Sequence, residues 1–309
     1  MINRRHIRLK VMQYLYSFQF IENDDTKVHK KYFNDCFSSV NSLFKMVVSL
    51  IIELQKKSQK QLNISKKSIS GIQNKRYLSK NFSQNSLIKN WLNNPIISKY
   101  IRSKNNFNWD INYKLIDILY NEIIESEIYD KYISIEKNSF EHDIQFVTSI
   151  YSEIIIQNDK LYDFIQDTNI FWSDDFPFVN SLVIKFIKNS KNGRFESFLT
   201  FELFSSKSDE NFADSLFRYA MSNHKSNLLL INKYLKNWDV ERIAKIDLVL
   251  ISLAISEILN IDSIPIKVSL NEYIEIAKDY SSDKSSFFIN GVLDKICRDL
   301  KKNKKLTKE

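Results

Sequence analysis

The chain has 309 residues and a net charge of +8, with only 3 Gly, 3 Pro and 2 Cys. So little glycine argues against an α/β enzyme with glycine-rich ligand loops and for long helices with simple connections. The two cysteines, Cys36 and Cys297, permit neither a zinc constellation nor a disulfide framework, and read as buried thiols in a reducing cytoplasm.

The length allows one large domain or two ordinary ones. No stretch approaches the ~18 uninterrupted apolar residues that span a bilayer, and no export signal is expected. At the N-terminus, Asn3 is placed to cap a helix running to about Glu22. Ile7, Val11, Tyr14, Leu15 and Phe18 recur at helical spacing and give it an apolar stripe. Arg4, Arg5 and Arg8 fall on an adjacent face, which predicts three exposed guanidinium groups near the positive helix end, where they are mildly unfavourable.

A second helix is predicted over residues 32–57, with Phe33, Phe37, Val40, Phe44, Val47, Ile51 and Leu54 on one side. Residues 58–90 read as loop broken by short helix. Helices are predicted again over 112–132, 140–157 and 175–188, followed by a turn around Lys191-Asn192-Gly193. A closely spaced set follows over 209–222, 226–237, 239–259, 267–280 and 285–300. Asp239 is placed to cap the third of these, and Pro265 stands just before the fourth. Residues 301–309 read as a basic, frayed tail.

Charge is unevenly spread. Residues 45–104 hold 13 Lys/Arg and one acid, whereas residues 105–180 hold 4 Lys/Arg and 15 acids. Such adjoining fields either hold subdomains together or present a basic face to nucleic acid, and a solvated surface is the commoner outcome. Trp109, Trp172 and Trp238 recur about every 65 residues before amphipathic passages, a rhythm that suggests degenerate helical modules, with chance as the rival explanation.

Catalytic signatures are missing from the sequence: it has no G-x-G-x-x-G, no P-loop and no H-E-x-x-H. His6, His29, His142 and His224 lie far apart, so neither a metal nor a cofactor is expected and an enzyme reading is poor. RNA chemistry fares better. Arg4, Arg5 and Arg8 can clamp phosphate, and aromatic rings can stack on unpaired bases. In SSDKSSFFINGVLDKI, Lys284, Ser285 and Ser286 precede Phe287-Phe288 at a predicted helix start, where N–H groups favour an anion. One Phe of the pair can stay accessible while the other packs inward; burial of both is the alternative.

Four segments carry a resemblance. They are RRHIRLKVMQYLYSFQ near the N-terminus, NWDVERIAKIDLVLISLAISEI with Glu257 near its end, IPIKVSLNEYIEIAKDYS, and FINGVLDKI over 288–296. Together they resemble the NusB family of transcription antitermination factors, over about a third of the chain. The resemblance implies an all-α, NusB-like helical RNA-binding fold with a large helical insertion. Residues 1–23 supply its first helix and 206–300 the rest of the core. The insertion over 24–205 resembles the elongated form of the family seen in Bacteroidetes.

The resemblance also implies function. It points to a non-enzymatic factor that binds single-stranded ribosomal leader RNA with ribosomal protein S10, alongside other Nus factors and RNA polymerase, with no membrane. By position, Arg4, Arg5 and Arg8 look like phosphate contacts. Phe288 matches an aromatic at the RNA edge, and Lys284, Ser285, Ser286 and Phe287 line the same turn. Tyr16, Glu241 and Asp247 match the surface that receives S10, so Asp247→Lys is expected to weaken S10 association more than it changes thermal stability. Two departures affect the turn: Lys284 stands where relatives often carry an acid, and Ser281 replaces a glycine. The rival readings are a helical protein-interaction scaffold without specific RNA binding, and the NusB-like domain fused to ribosomal RNA methyltransferases.

Overall fold

The computed structural model describes residues 2–18, 26–67, 76, 80–102, 108–192, 204, 206–235, 243–303, 306 and 308. They are helical, and their one β feature is an isolated parallel bridge between Ile2 and Phe204. The chain divides into two compact units, residues 1–35 with 203–309 and residues 36–202.

The first unit contains α1 (Arg4–Phe18), the start of α2 (Thr26–Lys67), α11 (Lys207–Tyr234), α12 (Lys245–Asn260), α13 (Ile266–Tyr280) and α14 (Ser285–Lys302). Helix α12 is its axis. Every residue from Val249 to Ile258 is buried, as befits a helix apolar almost all round. Helices α1, α11, α13 and α14 all pack against it. The predicted stripe of α1 holds: Ile7, Val11, Tyr14 and Leu15 are buried, and the Asn3 side chain accepts from the His6 N–H at 2.8 Å. The side chain of Phe18, residues 19–25 and the proposed cap Asp239 lie outside the described residues.

The two helices predicted over 209–237 are one. The polar run around residues 222–227 resembles a break, yet His224 and Asn227 are buried and face α12. Asn227 Nδ2 donates to the Ser252 carbonyl at 3.0 Å and to Ser256 Oγ at 2.8 Å, while His224 Nδ1 lies 3.2 Å from Ser252 Oγ. Paired inside the core, these groups continue the helix instead of ending it. The tail also departs from expectation. Leu306 packs against Ile258, Ile266 and Cys297, and Lys308 Nζ donates to the Ile261 carbonyl at 2.6 Å.

The second unit is built on the rest of α2, with α3 (Lys80–Ser83), α4 (Ser86–Asn93), α5 (Pro95–Arg102), α6 (Tyr113–Glu125), α7 (Glu127–Ile133), α8 (Phe140–Ile150), a π-helical turn (Tyr151–Ile155), α9 (Asp159–Thr168) and α10 (Ile170–Asn189). Helix α2 runs ten residues past its predicted end. Its stretch Val28–Ser65 is long and apolar enough to cross a membrane, but Val40, Phe44, Val47, Ile51 and Leu54 are buried, as in a core helix. Two tryptophans of the proposed rhythm seat on it: Trp109 Nε1 donates to Ser49 Oγ at 2.8 Å and Trp172 Nε1 to the Ser39 carbonyl at 3.0 Å. Trp238 lies outside the described residues. The opposed charge fields meet within this unit, through Lys57–Asp117 at 2.7 Å and Arg76–Asp130 at 2.6 Å. Helix α9, capped by Asn158, was not foreseen.

Candidate nucleic-acid interface

At the amino end of α1, three arginines take three directions. Arg8 points into the core and is 2% exposed. Its Nε and Nη2 each donate to Glu257 at 2.8 Å, and Nη1 donates to Glu272 at 3.2 Å. Ser269 Oγ and Tyr273 Oη complete the Glu257 carboxylate at 2.7 and 2.8 Å. Every oxygen of this buried carboxylate is thus occupied by a fork and two hydroxyls, which is what makes a desolvated pair tolerable. Burial opposes the charge on Arg8, but the hydrogen bond to Glu257 and the charges of Glu257 and Glu272 outweigh it and hold the guanidinium protonated. Its plane also sits over Phe212 and Tyr273, 5.2 and 5.9 Å from the ring centroids.

Arg4 and Arg5 stay near the surface. Arg4 Nε donates to Asp209 at 2.9 Å and Nη2 to Ser208 at 3.1 Å, with the guanidinium 5.4 Å from the Phe212 ring centroid. Arg5 Nη2 donates to Asp279 at 2.8 Å, next to the end of α13. That bond fastens the start of α1 beside the turn leading into α14.

The turn itself is a serine lattice. Ser281 Oγ donates to Asp247 at 2.6 Å and lies 2.9 Å from Ser285 Oγ, and Ser282 Oγ lies 2.8 Å from Ser285 Oγ. Lys284 occupies the N-cap of α14, and no side chain caps the helix, so its first-turn N–H groups form an anion-favouring end. Phe287, on that first turn, is 81% exposed, while Phe288 is half-buried. Among the described residues no group of three or more His, Cys, Asp or Glu is arranged to hold a metal ion. A groove of about 930 Å³ lies elsewhere in the unit, lined by His29, Phe217, Arg218 and His224.

A family model described as NusB family matches residues 179–298. Proteins named transcription antitermination protein NusB are similar over the same region. That of Natranaerobius thermophilus is 46% identical over 86 residues, 26% of this chain and 62% of its own length. That of Salinibacter ruber is 42% identical over 101 residues, 33% of this chain and 63% of its own length. That of Listeria monocytogenes (serotype 4a) is 45% identical over 87 residues, 28% of this chain and 68% of its own length. The chain belongs to the NusB family. It spans about a third to two thirds of the length of the curated relatives it matches. No solved structure matches it. The NusB match takes in nearly all of α11 to α14, which build the turn and carry Glu257, and leaves residues 1–178, with α1 and its arginines, outside it.

Within this NusB unit the residues singled out from sequence separate by environment. Arg4, Arg5, Lys284 and Phe287 reach solvent; Arg5 is tied to the end of α13 just before the turn, and Arg4 to the start of α11. Arg8 does not reach solvent, which corrects the expectation of three exposed guanidinium groups. The cause is Glu257, a carboxylate so deeply buried that it requires a cation. Ser285 and Ser286 are buried too; the Ser285 hydroxyl serves the turn's own lattice. Of the residues assigned to S10, Tyr16 is 39% exposed, and Glu241 lies outside the described residues.

Asp247 is 4% exposed and accepts from Ser281, so it braces the turn from beneath and is no open contact surface. Asp247→Lys is therefore expected to remove about 2–4 kcal/mol of stability by burying an unpaired charge and freeing the Ser281 hydroxyl. The expected result in thermal unfolding is a clear fall in Tm; an unchanged Tm would return Asp247 to the surface.

Proposed function

We propose that the protein is a non-enzymatic, cytoplasmic RNA-binding antitermination factor. It pairs with ribosomal protein S10 on single-stranded ribosomal leader RNA and acts with other Nus factors on RNA polymerase. The observation that carries this reading is Phe287, a ring 81% exposed at the uncapped start of α14 and flanked by Lys284. A large ring standing in water contributes little to the core but presents a face on which a base can stack.

Arg5 and Arg4 supply phosphate donors close by. The Asp279 partner of Arg5 is 58% exposed, where an ion pair is worth roughly 0–1 kcal/mol, so a phosphate can displace it; Asp209, the partner of Arg4, is 15% exposed and holds its arginine more firmly. Arg8 serves from below, fixing the angle of α1 so that its two neighbours face outward. Tyr16, 39% exposed, is the candidate S10 contact that reaches solvent among the described residues.

A titration of fluorescently labelled leader RNA, with and without S10, tests the reading. The expected result is saturable, salt-sensitive binding that S10 tightens, and that Phe287→Ala weakens by about 1–3 kcal/mol while the protein stays folded. Absence of RNA binding both with and without S10 would overturn it and leave a protein-interaction scaffold.

A further inference from the structure

Gly291 occupies the middle of α14, the second turn below Phe287 on the same helix. Apart from proline, glycine is the worst residue for a helix interior, and proteins keep it there where a close approach demands a bare backbone. No such approach exists within the described protein. A Cβ built at Gly291 meets nothing within 4 Å, and the position is exposed. Alanine would fit and would strengthen the helix. In a chain with only 3 glycines, this one is spent on open space.

The surrounding face indicates what comes close. Phe287, Gly291, Asp294 and Arg298 follow one another at helical spacing along the stripe, with exposed Asn290 on one side and exposed Lys295 on the other. Asp294 is balanced by Arg298 at 2.6 Å. Lys284 stands at the head of the stripe and Lys295 beyond its middle. A single large apolar side chain, Phe287, is far too little for a protein interface core, which buries roughly 800 Å² per partner. A ring, an amide, a bare backbone and flanking cations instead suit a single strand lying along the helix.

We propose that the RNA strand, having met Phe287, continues down α14 and passes over the bare backbone at Gly291, where Asn290 and Lys295 flank it. Gly291 is then a positioning residue that sets how closely sugar and phosphate approach the helix. This inference rests on the RNA-binding reading and adds the path of the strand.

The test compares Gly291→Ala and Gly291→Gln with the wild-type full chain, using labelled single-stranded leader RNA, thermal unfolding and S10 titration. Gly291→Ala is expected to raise Tm by roughly 2–4 °C, because the helix gains a better former and nothing clashes. RNA affinity should nonetheless fall by about 3–10-fold, and further for Gly291→Gln, with the salt slope unchanged because no phosphate partner has been removed. A merely structural glycine would not show a more stable protein that binds less well. If the wild type binds RNA and both variants bind equally well, the path is wrong while the RNA-binding reading stands. If S10 association weakens and RNA affinity does not, the face is a protein contact and the proposal fails. If the wild type binds no RNA, reading and path fall together.

Discussion

Glu257→Ala is expected to cost about 3–5 kcal/mol of folding stability, the largest loss from any single change considered. The substitution leaves Arg8 charged and 2% exposed, and strips the Ser269 and Tyr273 hydroxyls of their acceptor. Three helices, α1, α12 and α13, lose their common anchor. Urea unfolding measures the loss directly. Arg8→Met should cost a similar amount, because it leaves the carboxylate buried and uncompensated. The double variant should cost less than the two losses added, with a coupling of about 2 kcal/mol or more. Purely additive losses would mean that the two side chains do not act as a pair.

Loss of RNA affinity on replacing Arg4 and Arg5 together by alanine should be roughly 10–100-fold at low salt. Arg5 sits beside the turn and Arg4 at the start of α11, both about a third exposed, so Tm should change far less than on loss of Glu257. If each engages one phosphate of a single strand, the slope of log affinity against log salt should fall by about 1.4. Arg8→Met, at any temperature where it remains folded, should keep the wild-type slope, because its charge is committed inside the protein. Equal slopes for wild type and the Arg4/Arg5 variant would remove these two residues from the interface.

What the sequence disclosed depended on whether a local rule was in charge. The stripe of α1 and the turn before α14 were legible because period and punctuation agreed there. Arg8 was not, because its partner lies 249 residues away and helical spacing says only which side a residue takes. A signal existed nonetheless. Between Leu248 and Leu259, Glu257 is the one charged residue in an otherwise apolar and serine run, and a carboxylate in such a helix must find a cation. The apparent break near His224 misled because buried and exposed polar residues look alike until their acceptors are known. Leu306 was missed because a lone apolar residue in a basic tail has no period. The Phe pair resolved as one ring outward and one half-buried, a choice that packing made and adjacency could not.

The Arg8–Glu257 bond also has a bearing on the order in which the protein is made. At about 5–20 residues per second, a ribosome needs roughly 10–50 s after making Arg8 to reach Glu257. Until residue 207 is reached, α1 exists without any of α11 to α14, and its buried stripe of Ile7, Val11 and Leu15 lacks the helices that later cover it. Residues 36–202 emerge whole in the meantime and can close their own core as they leave the exit tunnel. The first helix of the NusB unit is thus the first to be synthesised and among the last to be housed. Nascent chains stalled before residue 207 should carry it as a ready chaperone target.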